Sequence, residues 1–233
     1  MSDGCFGEPS RNLRTSLPPS SPEPVRLSGS MDRFYFTSFS CSIASLALLI
    51  ECQHVFEPVR LQMTAEGAGE ESFAALSPLR QVPVLHAGAT VVRETGAIFE
   101  YLSLQHRGSA CFARTADERI AALHWIGFLG GTVHPLFRLL FRPDRFIGNE
   151  EQDQGSARAQ TRQYLLRVLV VIESHLAQRD WVLDRRTAID FYLFVFTRWV
   201  GLLRIPLSPA LKDFHHRVES LPAMQLALAI ESR

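Results

Sequence analysis

The pattern of hydrophobic and polar positions changes twice along the chain. The first 30 residues, rich in Ser, Pro and Gly, have hardly any apolar periodicity. From Arg33 to Leu102, apolar runs of strand length alternate with helical stretches, and from Thr115 onwards the patterned segments are helical. Because strands and helices have different hydrophobic periods, these changes predict three regions. We predict a disordered extension over residues 1–30, an α/β domain over 31–105 and an all-α domain over 113–233.

The α/β region is predicted to fold as strand, helix and strand, then a polar connection, then strand, strand and helix. Strand-like segments occupy 33–38 and 56–62, a helix occupies 41–51 between them, and the polar connection covers 64–71. This order predicts a small domain with a mixed sheet.

The stretch from Ser77 to Leu102 offers a place for a ligand. Val82-Pro83-Val84 opens an apolar run, a turn and a second run follow, and Glu94-Thr95-Gly96 introduces an amphipathic segment. Because Pro cannot donate a hydrogen bond to a sheet, we expect Pro83 at a strand start, with the Val82 backbone available to another partner. Thr95 is the predicted N-cap of the next helix, and a helix N-terminus binds carboxylates. The stretch therefore suits a small peptide with a free carboxylate.

Helix-start signals divide the second half. Thr115 and Glu118 form one predicted capping box, and Thr187 with Asp190 forms another. The predicted helices are one from Thr115 to the region before Pro143, bent near Gly130, Gly131 and Pro135, one over Ser156–Gln178, an unusually apolar one over Phe191–Leu203, and two short ones with Pro209 and Pro222 in their first turns.

Composition narrows the class of protein. The 233 residues carry a formal net charge of zero, which gives no basic surface for nucleic acid. The four cysteines (Cys5, Cys41, Cys52 and Cys111) are far apart and lack metal-ligand spacing, as in a reduced cytosolic protein without a bound metal. The longest apolar run, Leu46 to Ile50, is far short of the ~20 residues of a membrane span, and no signal peptide is evident. We expect a cytoplasmic protein with no membrane partner.

The ordered run SPLRQVPVLHAGATVVRETGAIFEYL, residues 77–102, resembles the glutathione-binding half of the glutathione S-transferases. In the second half, TAIDFYLFVFTRW resembles the buried helix of that family, and RVESLPAMQLAL is similar to its last helices. The resemblance implies a thioredoxin-like N-terminal domain followed by an all-α C-terminal domain. It also implies glutathione as co-substrate and a homodimer.

The segment RFYFTSFSCSIAS resembles the start of the bacterial beta class, with Cys41-Ser42 on that class's Cys-Ser pair. In GTVHPLFRLLF, His134 falls on a beta-class His, whereas Pro135 replaces the Lys that follows it. The connection at 64–71 is acidic and lacks the basic residue that often binds the glycyl carboxylate in this family. These departures put tight glutathione binding in doubt.

Cys41 is a candidate on chemical grounds as well. A Cys at the first turn of a helix lies near free amides that stabilise a thiolate, and such a position can hold the sulfur of a bound thiol. The alternative is a small buried hydrophobic residue. His134 is expected to hydrogen-bond the glycyl carboxylate or the sulfur, with a structural histidine between the domains as its alternative.

The resemblance assigns the remaining roles. Glu94 would pair with the α-ammonium of glutathione, Thr95 would take its γ-glutamyl carboxylate, and the Val82 backbone would bond its cysteinyl residue beside a cis Pro83. The complete expectation is Cys41 and His134 as catalytic residues, Cys41, Ser42, Val82, Pro83, Glu94, Thr95 and His134 as glutathione ligands, and Phe137, Phe141 and Trp199 as the cleft for the second substrate.

The predicted function is a glutathione transferase that joins the glutathione thiolate to a small hydrophobic electrophile, as in detoxification. One alternative is a glutathione-dependent thiol-disulfide oxidoreductase that forms a mixed disulfide at Cys41. Another is a binding protein that keeps the fold without catalysis.

Overall fold

The structure of the protein is a computed structural model that describes residues 31–148 and 150–233. The extension predicted over residues 1–30 lies outside the described residues. In chain order the elements are β1 (Asp32–Phe36), α1 (Ser42–Glu51), β2 (Phe56–Arg60), β3 (Val84–Ala87), β4 (Thr90–Arg93), α2 (Thr95–Gln105), α3 (Ala116–Phe128), α4 (His134–Phe141), α5 (Glu151–Leu176), α6 (Ala188–Leu202), α7 (Pro209–Glu219) and α8 (Pro222–Ser232).

The N-terminal half is built on a mixed sheet with strand order β2-β1-β3-β4. Strand β1 runs parallel to β2 and antiparallel to β3, and β3 is antiparallel to β4. Pro58 lies in the edge strand β2, where its missing N–H leaves no ladder bond broken. This is the predicted mixed sheet, in the thioredoxin-like arrangement that the resemblance implies.

Helix α1 is buried on all sides, from Ser42 to Leu49. It packs against β1 and α2 within the N-terminal half, and against α6 and α8 of the C-terminal half. A helix that is apolar all round fits a position between two layers, because neither face meets water.

A long bent helix begins the C-terminal half. The Thr115 hydroxyl accepts the Glu118 N–H at 3.1 Å, and the Glu118 carboxylate accepts the Arg114 N–H at 2.7 Å. Helices α3 and α4 are joined by a π-helical turn, Leu129–Val133, which lies at the predicted bend. The whole stretch Ala116–Phe141 is long and apolar enough to span a membrane by length and composition, a test that core helices of soluble proteins also pass.

Helix α6 forms the centre of the C-terminal half, and every residue from Ala188 to Thr197 is buried. Its predicted capping box is present, because the Asp190 carboxylate accepts the Thr187 N–H at 2.6 Å. Asp190 also accepts the Val182 N–H at 2.8 Å, which ties the preceding loop to the helix start. Burial raises the pKa of Asp190 to about 6, against the opposing effect of these bonds.

Helices α2 and α3 approach each other closely at Gly96. A Cβ added there would lie 2.5 Å from Cγ2 of Ile126, closer than side chains tolerate. The absence of a side chain at Gly96 therefore sets the distance between the helix of the N-terminal half and the first helix of the C-terminal half.

Candidate functional site

An open cleft of about 540 Å³ lies between the two halves. The N-terminal half supplies the turn after β1, the loop before β3 and the start of α2, and the C-terminal half supplies residues of α4 and α6. The structure brings Cys41, Val82, Pro83, Glu94, Thr95, His134 and Trp199 of the predicted set to this cleft.

Cys41 is the N-cap of α1 and is only 7% exposed. Its Sγ donates to the Val82 carbonyl oxygen at 3.6 Å. Burial raises the pKa of the Cys41 thiol to about 12, although the Thr95 hydroxyl and the Arg138 charge act in the opposite direction. The thiolate expected at this helix end is therefore disfavoured, because burial outweighs the helix terminus, and Cys41 is a neutral thiol that donates hydrogen bonds.

The loop before β3 presents its backbone to the cleft. The Val82–Pro83 peptide bond is cis, and β3 begins at the next residue, Val84. The Ser77 hydroxyl fixes this loop, because it donates to the Gln81 carbonyl at 2.9 Å and accepts the Gln81 N–H at 3.0 Å. The Val82 backbone is thus held beside Cys41.

The start of α2 forms a second side of the cleft. Glu94, not Thr95 as predicted, is the N-cap, and Thr95 is the first residue of the helix. Glu94 has a φ of 69°, in the left-handed region that non-glycine residues rarely adopt, and its side chain is exposed. The first amides of a helix have no intrahelical acceptor, so the N–H groups at the start of α2 can bind an anion next to the exposed Glu94 carboxylate.

His134 comes from the first turn of α4. Its ring lies 5.3 Å from the ring of Trp199 and 5.9 Å from that of Phe196, measured between centroids. Burial, assisted by the Arg138 charge, lowers the pKa of His134 to about 4. His134 is therefore neutral at physiological pH, so one of its ring nitrogens donates a hydrogen bond and the other accepts one.

Tyr192 also lines the cleft, and the sequence reasoning missed it. Burial, together with the negative charge of Glu94, raises the pKa of its hydroxyl above the ordinary range. That hydroxyl lies 3.3 Å from the position of a Cβ at Gly130, so the small residue leaves room for it. The available signal was one hydroxyl-bearing ring within the apolar run FYLFVF.

Arginines supply the positive charge that the sequence did not place. Arg80, Arg93, Arg138 and Arg145 all line the cleft. The Arg80 guanidinium bonds the Gly69 carbonyl oxygen, and Arg145 donates to the Ala65 carbonyl oxygen at 3.0 Å. Arg138 lies over the Phe146 ring, 5.4 Å from its centroid. The acidic connection at 64–71 is therefore bordered by cations.

Three predicted residues lie outside the cleft lining. Phe137 is fully buried and packs against Phe196 and Trp199 in the core, because the face of α4 that carries His134 and Arg138 is the one that meets the cleft. Phe141 is partly exposed and packs against Phe137 and Trp199, with ring centroids 6.0 and 5.7 Å apart. The Ser42 side chain is fully buried, with its Oγ 2.8 Å from the Ser40 hydroxyl.

Comparison with known proteins identifies the class. The family model for the glutathione S-transferase N-terminal domain matches residues 33–103. Glutathione S-transferase GST-4.5 from Xanthomonas campestris pv. campestris is 30% identical over 169 residues, which cover 68% of this chain and 79% of that protein. The chain belongs to the glutathione S-transferase family.

Solved structures agree with this assignment. A sphingomonad glutathione S-transferase complexed with glutathione superposes with a TM-score of 0.74 at 25% identity, over 86% of this chain and 98% of that one. A bacterial beta-class enzyme from Sphingomonas chungbukensis shares the fold with a TM-score of 0.74 at 23% identity, over 85% of this chain and 98% of that one. The thioredoxin-like and all-α halves implied by the sequence resemblance are thereby confirmed.

Proposed function

We propose that the protein is a glutathione transferase that joins the sulfur of glutathione to a small hydrophobic electrophile. The observation that carries this proposal is the shared cleft, where the Cys41 thiol lies 3.6 Å from the Val82 carbonyl and beside the open start of α2. A similar structure, from a sphingomonad, is complexed with glutathione, which supports the same ligand here.

Glutathione would lie along the N-terminal side of the cleft. Its γ-glutamyl carboxylate would accept from the Thr95 hydroxyl and the first amides of α2, and its ammonium would pair with Glu94. Its cysteinyl backbone would pair with the backbone of Val82. Its glycyl carboxylate would meet Arg138 or Arg145, the cations on the opposite wall.

The sulfur would lie at the start of α1, beside the neutral Cys41 thiol. The Cys41 thiol can donate to a glutathione thiolate, and the first amides of α1 and the Arg138 charge favour the same ionised form. A downward shift of two pKa units for the bound thiol requires roughly 2.7 kcal/mol of preferential stabilisation. The thiolate then attacks an electrophilic carbon, a carbon–sulfur bond forms, and the leaving group departs with its electron pair.

The second substrate would bind on the C-terminal side of the sulfur. Trp199 is the predicted residue of this set that lines the cleft, and His134 and Tyr192 stand near it. Holding the electrophile against the thiolate supplies the proximity on which such a reaction depends.

Two measurements test the function. Calorimetry should show glutathione binding, and a chloronitrobenzene substrate should be turned over only when glutathione is present.

A double variant with Cys41→Ala and His134→Ala should lose most of that turnover relative to the matched pair Cys52→Ala and His124→Ala. Absence of glutathione binding would leave only the fold. A glutathione adduct on Cys41 without conjugation would indicate the oxidoreductase alternative instead.

We also propose a homodimer formed through α2 and α3. Within Ala116–Phe141, only 22% of the apolar stretch of 18 residues is buried. Leu104 on α2 and Ile120 and Leu123 on α3 are each at least half exposed. Light scattering should give twice the chain mass of 26.2 kDa, and Ile120→Glu with Leu123→Glu should reduce it to the monomer mass.

A further inference from the structure

The C-terminal half holds the turn that precedes Cys41. The Phe39 N–H donates to Glu231 Oε1 at 2.9 Å, and the Phe39 carbonyl accepts from Trp199 Nε1 at 2.9 Å. The Ser38 hydroxyl donates to the Glu231 carbonyl oxygen at 3.0 Å. The Arg198 guanidinium lies 4.5 Å from the centroid of the Phe39 ring. Both peptide groups and the ring of residue 39 are therefore held from α6 and α8.

Phe39 has a conformation that needs this support. Its φ is 57°, in the left-handed region, and the residue is 59% exposed. A non-glycine residue in that region is strained and persists where the surrounding structure fixes it. Since the exposed ring is not fixed by core packing, the polar contacts to Phe39 are the ones that fix it.

Glu231 is the buried group at the centre of these contacts. Its residue is 4% exposed, and its carboxylate pairs with Arg198 Nη2 at 2.7 Å while accepting from Phe39. A buried carboxylate is tolerated only when it is paired and hydrogen-bonded. One partner of this carboxylate is the N–H of Phe39, and the other is the Arg198 guanidinium, which lies over the Phe39 ring. The buried carboxylate therefore acts on the turn through both.

The turn transmits its position to the sulfur end of the cleft. The Ser40 hydroxyl donates to the Thr37 carbonyl at 2.7 Å and accepts the Ser42 N–H at 3.3 Å. These bonds join Thr37 to Ser42 into one unit, with Cys41 inside it. A movement of Phe39 would therefore displace Cys41 and the first amides of α1 together.

We propose that Glu231, with Arg198, is a positioning residue for the sulfur end of the cleft and acts through the left-handed Phe39. The proposal rests on the proposed function in one respect, that the group it positions is the site of the glutathione sulfur. Glu231 itself touches neither substrate.

Kinetics of matched variants provide the first test. When kcat/KM is calculated per folded molecule, Glu231→Ala should lower its value for glutathione by about tenfold. Glu231→Gln should lower it by only about threefold, because the amide oxygen of Gln still accepts the Phe39 N–H. The control is Glu219→Gln at the end of α7, a half-exposed carboxylate 4.0 Å from His215, which should leave kcat/KM unchanged. Unchanged kcat/KM in both Glu231 variants would overturn the proposal.

Rescue separates positioning from general support of the fold. Glycine adopts a left-handed φ without a Cβ penalty, so Phe39→Gly should reduce the effect of Glu231→Ala from about tenfold to about threefold or less. A purely structural Glu231 would cost the same in both backgrounds, and that result would overturn the proposal.

A thiol measurement works without turnover. In Glu231→Ala the rate of Cys41 alkylation by iodoacetamide, followed by mass spectrometry, should rise about fivefold, because the turn opens around a buried thiol. Cys52 in the same sample is the internal control. If the wild-type chain neither binds nor turns over glutathione, the proposed function is rejected. A selective rise in the alkylation rate of Cys41 would still support the positioning role in that case. An unchanged Cys41 rate overturns the positioning role itself.

Discussion

The two ends of the proposed glutathione site are built in different ways. The γ-glutamyl end comes from one contiguous piece of chain, Glu94-Thr95, at the start of α2. The glycyl end is bordered by Arg80, Arg138 and Arg145, which come together only in the folded protein. The contiguous end is visible as a motif, whereas the dispersed end is not. The difference teaches that a charge missing from a sequence motif can be supplied by residues from other parts of the fold.

The largest expected effect is at the contiguous end. Thr95→Ala should raise the KM for glutathione about 30-fold, since the proposed bond joins a hydroxyl to a carboxylate in a largely buried place. Steady-state kinetics and calorimetry measure it. The control is Thr90→Ala in β4, an exposed threonine that should change neither value. An unaltered KM in Thr95→Ala would show that the γ-glutamyl group binds elsewhere.

The next effect is at the dispersed end. Arg138→Gln combined with Arg145→Gln should raise the KM for glutathione about tenfold, less than at Thr95 because these side chains are exposed and screened by solvent. The matched control is Arg142→Gln, whose guanidinium pairs with Asp144 at 2.8 Å and does not line the cleft. Equal KM values for the double variant and the control would mean that neither Arg138 nor Arg145 binds the glycyl carboxylate, as the acidic connection in the sequence suggested.

Cys41→Ala tests the sulfur between the two ends. Loss of a neutral thiol donor should raise the pKa of bound glutathione by about half a unit, so kcat near pH 6.5 falls about threefold and recovers at higher pH. A pH profile of kcat measures this, with Cys52→Ala as the control. A loss that stays constant with pH would point to a covalent role for Cys41.

The last effect concerns the pH dependence of stability at His134. Its pKa falls from 6.5 to about 4 on folding, so the unfolded chain binds more protons between these values. Stability is therefore lost as pH falls, by about 2 kcal/mol for this group between pH 7 and pH 5. His134→Asn should remove that part of the pH dependence in urea unfolding, whereas His124→Asn should retain it. An identical pH dependence in both variants would contradict a partly buried His134 that stays neutral.

The sequence predicted those parts of the molecule that depend on local chemistry. The capping box at Thr187, the bend near Gly130 and the mixed sheet all follow from short patterns, and the structure has each of them. The box predicted at Thr115 is half formed, because Thr115 accepts the Glu118 N–H but the Glu118 carboxylate accepts the Arg114 N–H instead of the N-cap N–H. Thr95 was misplaced by one position, because the left-handed Glu94 takes the N-cap and no side-chain cap marks it. The roles proposed for Cys41 and His134 remain predictions.

Other parts of the site could not be predicted because they depend on how helices are rotated. The π turn Leu129–Val133 changes the register between α3 and α4. As a result, His134 and Arg138 face the cleft while Phe137 faces the core, a choice that the alternation of apolar residues in α4 does not reveal. The turn at Phe39 is likewise held by Glu231, at the opposite end of the chain.

The contact between Gly96 and Ile126 has a consequence for sequence divergence. An alanine at position 96 would place its methyl group 2.5 Å from the Ile126 side chain, so a substitution there requires a smaller residue at 126 in the same background. The two positions are expected to vary as a pair among descendants of this protein. A library randomised at both positions should therefore yield alanine at 96 mainly together with alanine at 126, because valine would keep the γ methyl that makes the contact.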